Sequence, residues 1–154
     1  MKIKCIAIDD EPLAVKKIAG YIQKIPFLEL VAECRNVAET MEVMSNTEIQ
    51  LLFIDINMPE ISGMEFVKTL HNKPYIVFTT AYSEYAVEGF EVEAVDYLLK
   101  PISFVNLLKA ANKVKVLMDL KANNQKDNNE ESEAVSKGKT ASFFCLIFQK
   151  NGIK

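Results

Sequence analysis

Four stretches of this 154-residue chain carry side chains whose types could work together chemically: Asp9-Asp10-Glu11, Asp55, Thr79-Thr80 and Lys100-Pro101. Each lies at the end of a short apolar run. Carboxylates crowded at one place repel, and their pKa values rise unless a cation neutralises them. Hard oxygen donors with room for water suit Mg²⁺, which takes one or two carboxylates and completes its octahedron with water and phosphate. A carboxylate can also act as a nucleophile and form an acyl phosphate. In-line transfer then needs charge neutralised on the phosphoryl oxygens. A metal on one side, the Lys100 ammonium on the other and the Thr80 hydroxyl would provide it.

Each residue also has a plainer reading. Alone, Asp55 is a turn acid closing a buried strand; the company of Asp9, Asp10, Thr80 and Lys100 reverses that. Lys100 could be a solvated surface lysine, but its place between an apolar strand and Pro101 favours the pocket. Glu11 reads as a first-turn acid suited to a helix dipole rather than as a metal ligand. His71, the lone histidine, sits in the polar turn His71-Asn72-Lys73 and reads as solvated. Met58 and Pro59 read as loop shape. Tyr97 is either core packing or a moving part, and Tyr82 and Tyr85 either rim the pocket or face a partner.

Short β-type runs alternate with helical patterns. The runs cover Ile3–Asp9, Leu28–Cys34, Leu51–Asp55, Tyr75–Thr79 and Ala94–Leu99. Helical patterns cover Pro12–Lys24, Val37–Met44, Gly63–Leu70 and Glu84–Phe90. A longer helix starts after Ser103 as N-cap, with Leu107, Leu108, Ala111, Val114 and Met118 as its apolar stripe. Leu51-Leu52-Phe53-Ile54 is apolar throughout rather than alternating, the mark of a parallel strand covered on both faces. Such alternation predicts right-handed crossovers and a doubly wound α/β sheet. Ligands in such sheets bind outside the carboxyl ends of the strands, where strand order reverses. The four stretches fall at those ends. Strand two ends in Cys34-Arg35, which adds nothing evident to the pocket.

Hydrophobic residues make up 49% and charged residues 25% of the chain, the balance of a soluble globular protein. A net charge of -3 argues against nucleic-acid binding by bulk electrostatics. Cys5, Cys34 and Cys145 share no metal-ligand spacing and read as reduced thiols. The acids at residues 9–11 end the first apolar run too early for a signal peptide, and no stretch reaches membrane-span length, so a cytoplasmic location is expected. Residues 1–121 make one domain. Residues 122–139 are polar without periodicity and read as a linker. The tail, 140–154, contains the apolar run Phe143–Phe148, a single strand that cannot be a domain.

The chain resembles a response-regulator receiver domain, the partner of a sensor histidine kinase. The motifs are Ile8-Asp9-Asp10-Glu11-Pro12, Asp55-Ile56-Asn57-Met58-Pro59 with Gly63, Thr80-Ala81, and Tyr97-Leu98-Leu99-Lys100-Pro101. They span roughly residues 1–120; each is weak alone and together they are specific. The resemblance implies a flavodoxin-like sheet of five parallel strands in the order 2-1-3-4-5. It implies Asp55 as phosphoacceptor, with Mg²⁺ held by Asp10, Asp55 and the backbone carbonyl of Asn57, and Asp9 acting through water. Thr80 and Lys100 would bind the phosphoryl oxygens, Lys100–Pro101 would be cis, and Tyr97 would be the aromatic switch partner of Thr80. A homodimer on phosphorylation is part of the same expectation.

The stretches Asp9–Ala14 and Thr79–Ala86 resemble, more narrowly, receivers that precede a LytTR-type DNA-binding domain. That output domain is expected to be absent or cut short here, so DNA would be reached only through it. Two other classes share part of this residue set or fold. A haloacid-dehalogenase-like phosphatase needs a second aspartate where Asn57 stands. A flavodoxin-like cofactor binder wants a glycine- and hydroxyl-rich phosphate loop where three acids stand, and acids repel phosphate. The expectation is therefore a switch that phosphorylates and dephosphorylates itself, not an enzyme turning over a small molecule.

Overall fold

In the computed structural model, residues 1–83 and 92–135 are described, with side chains through residue 126. The elements run β1 (Ile3–Ile8), α1 (Pro12–Gln23), β2 (Leu28–Cys34), α2 (Val37–Asn46), β3 (Leu51–Asp55), α3 (Gly63–Lys68), β4 (Tyr75–Thr80), β5 (Asp96–Leu99) and α4 (Phe104–Val135). The helix expected over Glu84–Phe90, Tyr85 within it, and the tail with Cys145 and Phe143–Phe148 lie outside the described residues.

All five strands are parallel, in the order β2-β1-β3-β4-β5. This is the doubly wound sheet the apolar runs imply. Register decides where the chemistry collects. Ile8 lies opposite Ile54, and Asp55 opposite Thr79. The residue after Ile8 is Asp9, so it arrives beside Asp55 at the same sheet edge. Strand β1 stops one residue earlier than expected and β4 runs one further, which puts Thr80 inside the sheet.

Strand β3 is buried at all five positions. On one face Leu52 and Ile54 join Ile6, Ile8, Phe66, Val67 and Phe78 in a core cluster. Phe53, one residue out of phase, points to the opposite face and is equally buried. Cys5 and Cys34 are free and buried, acting as small hydrophobes, and burial pushes the Cys5 thiol up to about 12.

Three helices start on side-chain caps. Asn36 Oδ1 accepts from Glu39 N–H at 2.8 Å, Ser62 Oγ from Glu65 N–H at 3.1 Å, and Ser103 Oγ from Asn106 N–H at 3.1 Å. Each such cap contributes about 1 kcal/mol. Helix α1 starts instead on Pro12, whose fixed φ suits the first helical position. Glu11 is thus the N-cap residue and not a first-turn acid, and its side chain makes no capping bond. Leu107, Ala111 and Val114 of the expected stripe are fully buried, joined by Ala110.

The compact unit Met1–Lys115 holds the whole sheet, and the chain from Val116 is a separate unit. Residues 122–135, within the polar stretch expected to be a linker, are helical. The stretch has no glycine or proline, and its Lys, Gln, Glu and Ala are good helix formers.

Candidate functional site

The sheet edge gathers three carboxylates from two strands. Asp9 and Asp10 leave β1, Asp55 closes β3, and one oxygen from each lies within 4.8 Å of the others. Asp9 is fully buried, Asp55 is 4% exposed, and Asp10 is half-buried. Burial, then the charge of Asp9, pushes the Asp55 carboxyl up to about 6, against the pull of Lys100 and of the Asn57 backbone N–H. A carboxyl so raised is one whose ionised form is disfavoured by burial and by a like charge beside it.

Lys100 reaches in from the end of β5. Its Nζ lies 2.8 Å from Asp9 Oδ2 and 3.5 Å from Asp55 Oδ2. Burial works against the ammonium, but its contact with Asp9 and the charges of Asp55, Asp9 and Glu11 outweigh that and raise its pKa. Lys100 is not the solvated surface lysine of the plainer reading, since its side chain is only 21% exposed. Its backbone N–H donates to Thr80 O at 2.7 Å, and the Lys100–Pro101 peptide is cis. Thr80 is 1% exposed, and its Oγ1 accepts from Tyr82 N–H at 3.0 Å.

Asp9 is fixed twice, yet incompletely. Its Oδ1 accepts from Glu11 N–H at 3.0 Å, while its buried Oδ2 meets Lys100 but receives no well-aligned hydrogen bond. Three clustered carboxylates with one ammonium between them keep an excess of negative charge and hard oxygen donors, which fits a divalent cation such as Mg²⁺. Asp9, Asp10 and Asp55 would hold it, with the exposed Asn57 at the mouth of the site.

Below Asp55 the chain makes a tight approach. A Cβ on Gly63 would run into the Asp55 carbonyl oxygen, so only glycine lets α3 start there. Between them Glu60 sits at φ 72°, at the centre of a turn closed by Ile61 N–H to Pro59 O at 2.9 Å. Tyr97 is half-buried. Its ring packs on Phe78 at 5.4 Å between centroids, and its hydroxyl donates to Val92 O at 3.5 Å. His71 and Tyr82 are exposed, and Glu11 is not among the gathered acids.

Arg35 gave no signal in the sequence. Its Nε and Nη2 donate to Asp10 O at 3.1 and 3.0 Å, bridging the end of β2 to the acid loop. The acceptor is a backbone carbonyl, which every residue has, so side-chain types could not reveal it.

Residues 5–112 match the family described as the response regulator receiver domain. The chain belongs to that family. A receiver's close relatives include the transcriptional regulatory protein BtsR of Escherichia coli K12, 45% identical over 109 residues, which are 70% of this chain and 46% of BtsR. The transcriptional regulatory protein LytR of Staphylococcus aureus is 34% identical over 144 residues, 92% of this chain and 56% of LytR. This receiver therefore sits in the LytR/AlgR-like subgroup, and the chain spans about half the length of those relatives. Among solved structures, the response regulatory domain of mrkE from Klebsiella pneumoniae is 30% identical with a TM-score of 0.68, covering 77% of this chain and 99% of that one. No described helix is long and apolar enough to cross a membrane.

Proposed function

We propose that this receiver takes a phosphoryl group on Asp55 from the phosphohistidine of a sensor histidine kinase, in a Mg²⁺-dependent reaction. The observation that carries the reading is the position of Asp55: buried, beside two acids and within 3.5 Å of Lys100. An Asp55 carboxylate oxygen attacks phosphorus, the N–P bond breaks, and the histidine nitrogen leaves with the electron pair. Lys100 offers its ammonium to the transferring oxygens, and the Thr80 hydroxyl, at the same sheet edge, offers a hydrogen bond. A Mg²⁺ ion held by Asp9, Asp10 and Asp55, with the Asn57 carbonyl, would neutralise the charge that otherwise repels the donor. Water later hydrolyses the acyl phosphate, so the chain acts as a switch rather than an enzyme with a small-molecule substrate.

Thr80 and Tyr97 are the moving parts of that switch, self-association its readout, and control of transcription through a LytTR-type DNA-binding domain its output. The names of BtsR and LytR support the last step. The proposed site of action is the cytoplasm. Incubation with acetyl phosphate and Mg²⁺ should add one phosphoryl group, read by intact mass. Asp55→Asn and excess chelator should each abolish the adduct. A stable adduct of equal yield on Asp55→Asn would remove Asp55 from the role.

A further inference from the structure

We infer that Arg35 is a positioning residue for Asp10: it holds the acid loop so that the Asp10 carboxylate is presented to a cation before one binds. The inference rests on the reading of the acid cluster as a Mg²⁺ site. The three acids are held in different ways. Asp9 is fixed by Glu11 N–H and Lys100, and Asp55 by Lys100 and the Asn57 N–H. Among the described residues, the contacts that fix Asp10 reach its carbonyl, and both come from the Arg35 guanidinium.

The main chain that carries the guanidinium is itself anchored. The backbone N–H of Arg35 donates to Glu39 Oε2 at 2.8 Å, and the backbone N–H of Glu39 donates to Asn36 Oδ1 at 2.8 Å, so the chain entering α2 is held where the Arg35 side chain departs. One residue earlier, Cys34 O accepts from Asp9 N–H at 3.1 Å. Two consecutive residues leaving β2 thus hold the backbone of two consecutive acids leaving β1. A planar fork with two donors on one carbonyl fixes orientation in a way that a lysine cannot.

Two effects of Arg35 on a cation oppose each other. Its charge repels Mg²⁺, but Arg35 is exposed and that repulsion is screened. Its hydrogen bonds act at contact range and pre-order a ligand, an effect typical of outer partners of metal ligands. The fork therefore outweighs the charge, and losing it weakens Mg²⁺ binding.

The test is Mg²⁺ titration by calorimetry on the whole chain without any phosphoryl donor, with melting temperature of the metal-free protein alongside. Arg35→Ala and Arg35→Lys should each weaken Mg²⁺ binding by about tenfold. In an Asp10→Ala background, Arg35→Ala should have no further effect. Tighter binding by Arg35→Ala, or wild-type affinity in Arg35→Lys, would show that charge alone operates and overturn the inference. A lowered melting temperature with unchanged affinity would make Arg35 merely structural and overturn it too. A wild-type protein that takes up no Mg²⁺ would instead remove the metal-site reading itself, and the inference with it.

Discussion

Strand β3 ends in a charged residue of the pocket and β5 is followed directly by one, but they bring it there under opposite conditions. Strand β3 lies at the centre of the sheet, buried along its whole length, and delivers Asp55 into a setting that disfavours its ionised form. Strand β5 is an edge. Only Leu98 is fully buried, Leu99 is 50% exposed, and Lys100 keeps partial contact with water while reaching two carboxylates. The centre holds the buried carboxylate, and the edge supplies the partly exposed counter-ion that eases its charge.

The sharpest way to break this contrast is to empty the centre. Phe53→Ala in β3 should cost about 3–5 kcal/mol by chemical denaturation, close to the whole stability of a small domain. Leu99→Ala in β5 should cost less than about 0.5 kcal/mol. Equal losses would mean that edge and centre are not distinct.

The next effect concerns the charge itself. The Asp55 carboxyl has an ordinary pKa of 3.8, raised in the fold to about 6. Its ionisation is disfavoured only in the folded state, so stability is lost as pH rises between those values and the loss is complete above about 6. The upper figure for that loss is about 3 kcal/mol. In metal-free protein, Asp55→Asn should therefore raise the melting temperature at pH 7.5 and change it little near pH 3.5, by the definition of the linkage. A mutant destabilised at pH 7.5 would show that Lys100 already over-compensates the carboxylate.

Two smaller effects test the turn that follows β3. Gly63→Ala should cost about 1–3 kcal/mol, because the added methyl meets the Asp55 backbone and α3 must shift. Glu60→Gly should gain about 0.5 kcal/mol, since glycine adopts the positive φ without strain but loses more freedom on folding. Both are read from urea midpoints.

Most of the sheet could be read from sequence because parallel central strands are apolar on both faces, as Leu51–Ile54 shows. The pocket was legible because Asp9, Asp10, Asp55, Thr80 and Lys100 each follow such a run, and register then brings those ends together. What escaped has physical reasons. Arg35 acts on a carbonyl, which carries no residue-type signal. The helix through residues 122–135 has no apolar face, and periodicity detects a buried face rather than helicity. Glu11 is the N-cap rather than a first-turn acid, a one-residue distinction at a helix end that composition does not resolve.

The hydrogen bond from Tyr82 N–H to Thr80 Oγ1 has a mechanical consequence. It occupies the oxygen of the hydroxyl as an acceptor and leaves its proton as the part on offer to the pocket. The same bond ties the side chain to main chain two residues downstream, where β4 has ended. A hydroxyl that swings towards Asp55 must either break this tether or pull residue 82 after it. In the proposed switch, Thr80 would therefore work less like an isolated sensor than like a latch tied to the main chain at residue 82.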